Sequence, residues 1–102
     1  IEGGVAQGLG LALLEELILT DGKIANANFT DYLLPTAMDT PPIEIAAFIE
    51  QPEPGAPFGA KGIGEPPVIS STPAIVAAIR NATGFELNRV PVKPEDIALN
   101  GL

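Results

Sequence analysis

A chain of 102 residues can hold one modest core, and a formal charge of −8 with only five basic residues leaves no patch to neutralise several phosphates, which argues against a nucleic-acid partner. The absence of cysteine and histidine removes disulfides, thiolate nucleophiles, Cys/His zinc sites and a Ser-His-Asp triad, so no metal ligands are expected here and any chemistry must use carboxylate, lysine, hydroxyl or amide groups. Eleven glycines and eleven prolines, against four phenylalanines and one tyrosine, point to short elements joined by fixed turns.

The chain opens at Ile1 without an initiator methionine and runs almost at once into an apolar segment, which reads as a fragment of something longer. Val5 to Leu19, "VAQGLGLALLEELIL", places Val5, Leu9, Leu13 and Leu17 beside Ala6, Leu14 and Ile18, with Glu15 and Glu16 on the remaining face. That spacing predicts a helix buried on most sides. Gly8 and Gly10 would each cost it about 1 kcal/mol relative to alanine, so they point to close approach of another element. The longest apolar run, Leu9 to Leu14, is far below the ~20 residues of a membrane span and follows no basic region of the signal-peptide kind. The expectation is a soluble, cytoplasmic protein with no membrane partner.

"TDGK", Thr20 to Lys23, predicts a turn followed by an extended segment, "KIANANF". Pro35, Pro41 and Pro42 make Leu33 to Pro42 an irregular connector. Ile43 to Glu50, "IEIAAFIE", alternates as a strand with one face better buried, and "QPEPGAPFG" forms a surface loop. In "VISSTPAIVAAIRNATG" a helix stops at Gly84. It starts either at Pro73 with Ser71 or Thr72 as N-cap, or nearer Pro67 with a bend at Pro73. The tail offers a short strand near Val90 to Val92 and a last helical turn begun by Pro94. The fold class is α+β: two main helices packed on a small mixed or antiparallel sheet, with 1–102 as a single unit.

"GAKGIGEPP", Gly59 to Pro67, sets one carboxylate, Glu65, among glycines that permit close backbone approach and prolines that fix φ. It lacks the third glycine of G-x-G-x-x-G, and no G-K-[ST] occurs. Glu65 is either a general base, which burial beside an apolar helix would bring toward useful basicity, or an ordinary loop carboxylate favouring a helix dipole. Lys61 could pair with Glu65 or a ligand, or simply be solvated. Gln7, on an apolar helix beside two glycines, is either a core amide satisfied by backbone or a ligand contact. Ser70, Ser71 and Thr72 read as capping residues, and Glu15 with Glu16 as a solvated face.

Three segments in order, "IEGGVAQGLGLALLEEL", "DYLLPTAMDTPPIE" and "GAKGIGEPPVISSTPAIVAAI", together with "VPVKPEDI", resemble the closing part of the molybdenum-binding subunit of the xanthine dehydrogenase and aldehyde oxidase family, over nearly the whole chain. The resemblance implies a C-terminal fragment of a molybdopterin-binding domain, in an enzyme that hydroxylates aldehydes or N-heterocycles with oxygen from water. It makes Glu65 the general base and places Gln7, Gly8, Gly62 and Gly64 along the molybdopterin–molybdenum cofactor. The family's pterin-contacting glutamine would directly precede Ile1. The implied partners are the rest of the molybdenum-binding subunit, iron–sulfur and FAD domains or subunits, and a small-molecule substrate. The piece alone is expected to hold neither cofactor nor activity, and to expose apolar surface through which it self-associates. The alternative is a non-enzymatic interaction or assembly domain shaped by the same glycine and proline loops.

Overall fold

The computed structural model describes residues 1–99; positions 100–102 of the expected single unit lie outside the described residues. Two helices carry the fold: α1, Glu2–Leu13, and α2, Pro66–Thr83. Between them lie a ladder of β1, Leu19–Thr20, with antiparallel β2, Lys23–Ile24, and a 3-10 turn, Pro57–Gly59; α3, Pro94–Ala98, follows. The α+β expectation holds with a sheet of two very short strands.

α1 packs on α2 through glycines. Gly4 and Gly8, one turn apart, put backbone on the facing side, and a Cβ added to Gly8 would overlap the Ser71 hydroxyl and stand 3.0 Å from Ser71 Cβ. Thr72 Oγ1 donates to the Gly8 carbonyl at 2.9 Å across this contact. Ser71 and Thr72 therefore do not cap a helix beginning at Pro73. The helix begins at Pro66, with Pro73 inside it, and Ser70 and Ser71 donate back to the Pro66 and Pro67 carbonyls. It stops at Gly84, which takes φ 75 and donates to the Arg80 carbonyl at 2.8 Å.

The first helix ends at Leu13, six residues before the expected Leu19. Asp21 at φ 49 and Gly22 at φ 76 form a tight left-handed turn that draws the chain back on itself. Asn26, only 4% exposed, accepts from the Ile18 amide at 2.9 Å and donates to the Glu16 carbonyl at 2.6 Å. One buried amide thus occupies backbone groups that a longer helix would have used.

Two expected strands are absent. Ile43 to Glu50 is irregular and mostly exposed, because alternation prescribes faces but cannot supply a ladder partner, and none lies beside it among the described residues. Val90 to Val92 contains a cis Val90–Pro91 bond, and the Val92 amide donates to the Ala12 carbonyl at 2.7 Å, one of the groups left open at the α1 C-terminus. Ala12, Leu87 and Val92 make the small apolar core there. The tail is further tied by a Lys93–Glu16 ion pair at 2.5 Å and by Asp96, which accepts from the Lys93 amide at 2.9 Å and from Arg89 at 2.8 Å.

The molecule measures 54 × 35 × 26 Å with a radius of gyration of 17.1 Å, against about 13 Å for a compact domain of this length. Phe29, Met38, Ile49 and Phe58 are almost wholly exposed, so a large apolar surface is open, as expected. Among the described residues no helix is long and apolar enough to cross a membrane.

Two outcomes follow from this packing. Gly8→Ala should destabilise the protein by about 1–3 kcal/mol in a denaturant titration, since Ser71 has no room to retreat without losing its own hydrogen bond. The Lys93 amide and the Arg89 guanidinium hold the Asp96 carboxyl below its ordinary range. Its contribution to stability is therefore complete above about pH 4 and is lost as pH falls through the lower folded value. Thermal melts across that acid window should show a smaller loss for Asp96→Asn than for the unmodified protein.

Candidate active site

Glu65 is the residue before α2, and its carbonyl accepts from the Val68 amide at 2.9 Å and the Ile69 amide at 3.3 Å. A helix start normally leaves four amides to satisfy, and a carboxylate there tends to cap them. Pro66 and Pro67 have no amide hydrogens, so two of those donors do not exist. The Glu65 carboxylate makes no capping bond and, among the described residues, no hydrogen bond or ion pair. It is exposed; the burial expected beside the apolar helix is not provided by these residues.

The loop before it, Lys61 to Gly64, is exposed, and its backbone forms no hydrogen bond among the described residues. It is gripped at both ends. At the far end, a Cβ on Gly4 of α1 would stand 2.9 Å from both the Gly64 carbonyl oxygen and Pro67 Cβ, so the absence of a side chain at Gly4 lets the loop close onto the helix. At the near end, the Glu53 amide donates to the Gly59 carbonyl at 3.1 Å, and the Gly59 and Ala60 amides donate to Ala56 and Pro57. Gly59 takes φ 70 and Phe58 takes φ 56, a conformation that costs a side-chain-bearing residue about 1–2 kcal/mol. A cleft of about 690 Å³ lies between the two arms of this turn, walled by Ile49, Glu50 and Pro52 on one side and by Lys61, Gly62 and Pro66 on the other.

The expected site residues divide into two groups. Gly62 and Gly64 stand beside Glu65 with open space where a Cβ would be, so their backbone can meet a bulky group directly. Gly8 is buried in the α1–α2 contact, where Ser71 and Thr72 close its face, and it serves helix approach. Gln7 is exposed and is not a core amide; it lines a separate cleft of about 330 Å³ with Ala6, Glu15, Leu34 and Pro35. Glu15 is not merely solvated, for it accepts from the Tyr32 hydroxyl at 2.6 Å, and this bond with partial burial holds the phenol above its ordinary range. Lys61 is exposed and has no ion pair with Glu65. No cluster of three or more acidic residues able to hold a metal occurs among the described residues.

Sequence reasoning missed Gly4, Gly59 and Asn26. The first had a signal, the i, i+4 spacing of Gly4 and Gly8 on one helix face. Gly59 lay in the glycine loop already read as permitting close approach, and only its partner Pro52 had no signal; Asn26 had none, since the Glu16 and Ile18 backbone it meets is brought near by a chain reversal.

The family description "Molybdopterin cofactor-binding domain" matches residues 1–41. Over its whole length the chain is 41% identical to the xanthine dehydrogenase molybdenum-binding subunit of Escherichia coli O157:H7, covering 14% of that protein. It is 38% identical to an aldehyde oxidoreductase from Megalodesulfovibrio gigas, with 95% of this chain covering 10% of that one. The crystal structure of quinoline 2-oxidoreductase from Pseudomonas putida 86 superposes with a TM-score of 0.85 at 41% identity, over 97% of this chain and 13% of that one. The chain thus spans about one seventh or less of the length of these relatives.

Because its carboxylate holds nothing in place, Glu65→Gln should leave stability unchanged within about 0.5 kcal/mol. Matching denaturation midpoints for the two proteins would check this.

Proposed function

We propose, because this chain belongs to the family of molybdenum-binding subunits of xanthine dehydrogenases and aldehyde oxidases, that it forms part of a molybdenum hydroxylase and supplies its general base. The observation carrying this reading is the state of Glu65: a carboxylate without a partner among the described residues, on backbone fixed by two prolines and by the Gly4–Gly64 contact. A base must come within about 3 Å of the proton it takes, which favours a pinned backbone over a mobile one. Glu65 accepts, on a carboxylate oxygen, the proton of the water-derived oxygen that is transferred to a substrate carbon. Such help contributes typically ~10²–10⁴ in rate.

The residues fit a polar, extended cofactor. Gly62 and Gly64 present open backbone faces, the amides from Lys61 to Gly64 are unpartnered among the described residues, and the Gln7 amide is free to donate and accept in its own cleft. Molybdopterin-bound molybdenum, when present, supplies the acceptor for the electrons removed from the substrate. In this reading iron–sulfur and FAD domains or subunits carry those electrons onward in a cytoplasmic assembly. The substrate is an aldehyde or an N-heterocycle, a class supported by the names of the aldehyde and quinoline oxidoreductases to which the chain is similar. The exposed Phe29, Met38 and Ile49 favour a second reading, a module whose role is assembly.

The test is Glu65→Gln in the full-length, cofactor-loaded protein. The enzyme reading expects turnover of benzaldehyde or quinoline to fall by about 10²–10⁴ with molybdenum content unchanged. Unaltered turnover would favour assembly.

A further inference from the structure

The stretch from Pro41 to Gly64 is long and lacks regular structure except at Pro57–Gly59. Such a length of irregular chain inside a folded unit is usually functional, and its wandering must be limited if it ends on a group that needs exact placement. Here the limit is a closure near its far end. The Glu53 amide donates to the Gly59 carbonyl, and Gly59 sits so close to Pro52 that a Cβ would stand 2.6 Å from Pro52 Cβ and 3.3 Å from its Cα. Residues from both arms line the 690 Å³ cleft, Ile49 to Pro52 from one and Lys61 to Ile63 with Pro66 from the other, and Glu65 stands next in sequence to the last of these.

We propose that the Pro52–Gly59 closure is a clasp that sets the position of Glu65, which makes Gly59 a positioning residue for the proposed base. The inference rests on the reading of Glu65 as that base. Lys61 to Gly64 has no backbone hydrogen bond among the described residues, so this segment is held at its two ends, by the closure at Gly59 and Ala60 and by the Gly64 contact with Gly4, and the clasp sets the first of these. An opened clasp transmits its displacement along five residues to Glu65, and about 1 Å of misplacement at a reacting group can cost ~10²-fold in rate.

The experiment compares Gly59→Ala, Glu65→Gln and the double variant Pro52→Gly/Gly59→Ala in the full-length holoenzyme, with benzaldehyde and quinoline as probes. A crystal structure of the Gly59→Ala protein accompanies the kinetics. The expected result for Gly59→Ala is a shifted Glu65 carboxylate and a kcat lower by about 100-fold with little change in KM, the pattern of a lost transition-state interaction. The double variant removes the Pro52 Cβ that the new Cβ would meet and leaves the strain of a side chain at φ 70, so it should recover part of that loss, although proline to glycine loosens the chain and could not rescue a merely unfolded protein. A Glu65 carboxylate unmoved in the Gly59→Ala crystal overturns the clasp. Loss of turnover in Glu65→Gln beside normal kcat in Gly59→Ala overturns the clasp alone. Full turnover in Glu65→Gln overturns the base reading, and the crystal structure then still decides whether Gly59 governs where residue 65 stands.

Discussion

Close approach between α1 and the start of α2 is the contact on which everything else in this chain depends. Gly4 and Gly8 leave no α1 side chains at the contact, so Pro67 and Ser71 of α2 sit against the α1 backbone and the Thr72 hydroxyl reaches the Gly8 carbonyl. With the axes held this near, the end of the glycine loop is pressed onto α1 through Gly64 and Pro67. The site is thus an outgrowth of helix packing. A helix of higher intrinsic propensity, with alanines in place of these glycines, would be stiffer and would hold the loop farther away.

The second constraint is negative. Carboxylates at helix starts are commonly consumed in capping, yet Pro66 and Pro67 bring no amide hydrogens and the Val68 amide donates to the Glu65 carbonyl instead. The result is a carboxylate whose backbone is rigid and whose side chain is uncommitted, the combination that proton transfer needs. That carboxylate is exposed, in a chain that spans about one seventh or less of the length of its relatives. Phe29, Met38 and Ile49 are exposed as well.

Much was legible in the residues. The α2 stop at Gly84, the turn at Asp21–Gly22, the last helical turn from Pro94 and the unusual character of the Glu65 loop all follow from local rules about glycine, proline and helix ends. Family resemblance implied a role for Glu65 that composition could not. The errors share one cause. The helix read to Leu19 is cut short by Asn26, the strand at Ile43 to Glu50 finds no partner among the described residues, and the Val92 amide is taken by the Ala12 carbonyl. Each is a competition between a local preference and a partner distant in sequence, which periodicity does not register.

By itself, then, the sequence determined where backbone is permitted to bend or approach closely and where a carboxylate is framed by rigid residues, because glycine and proline act through their own φ and their own missing atoms. Only the tertiary structure decided what fills those allowances. It gave Gly8 to Ser71 and Gly4 to the loop, put Gln7 on a different cleft from the one lined by Lys61 and Gly62, and closed Gly59 on Pro52. Contacts of that kind form between residues whose nearness is created by the fold.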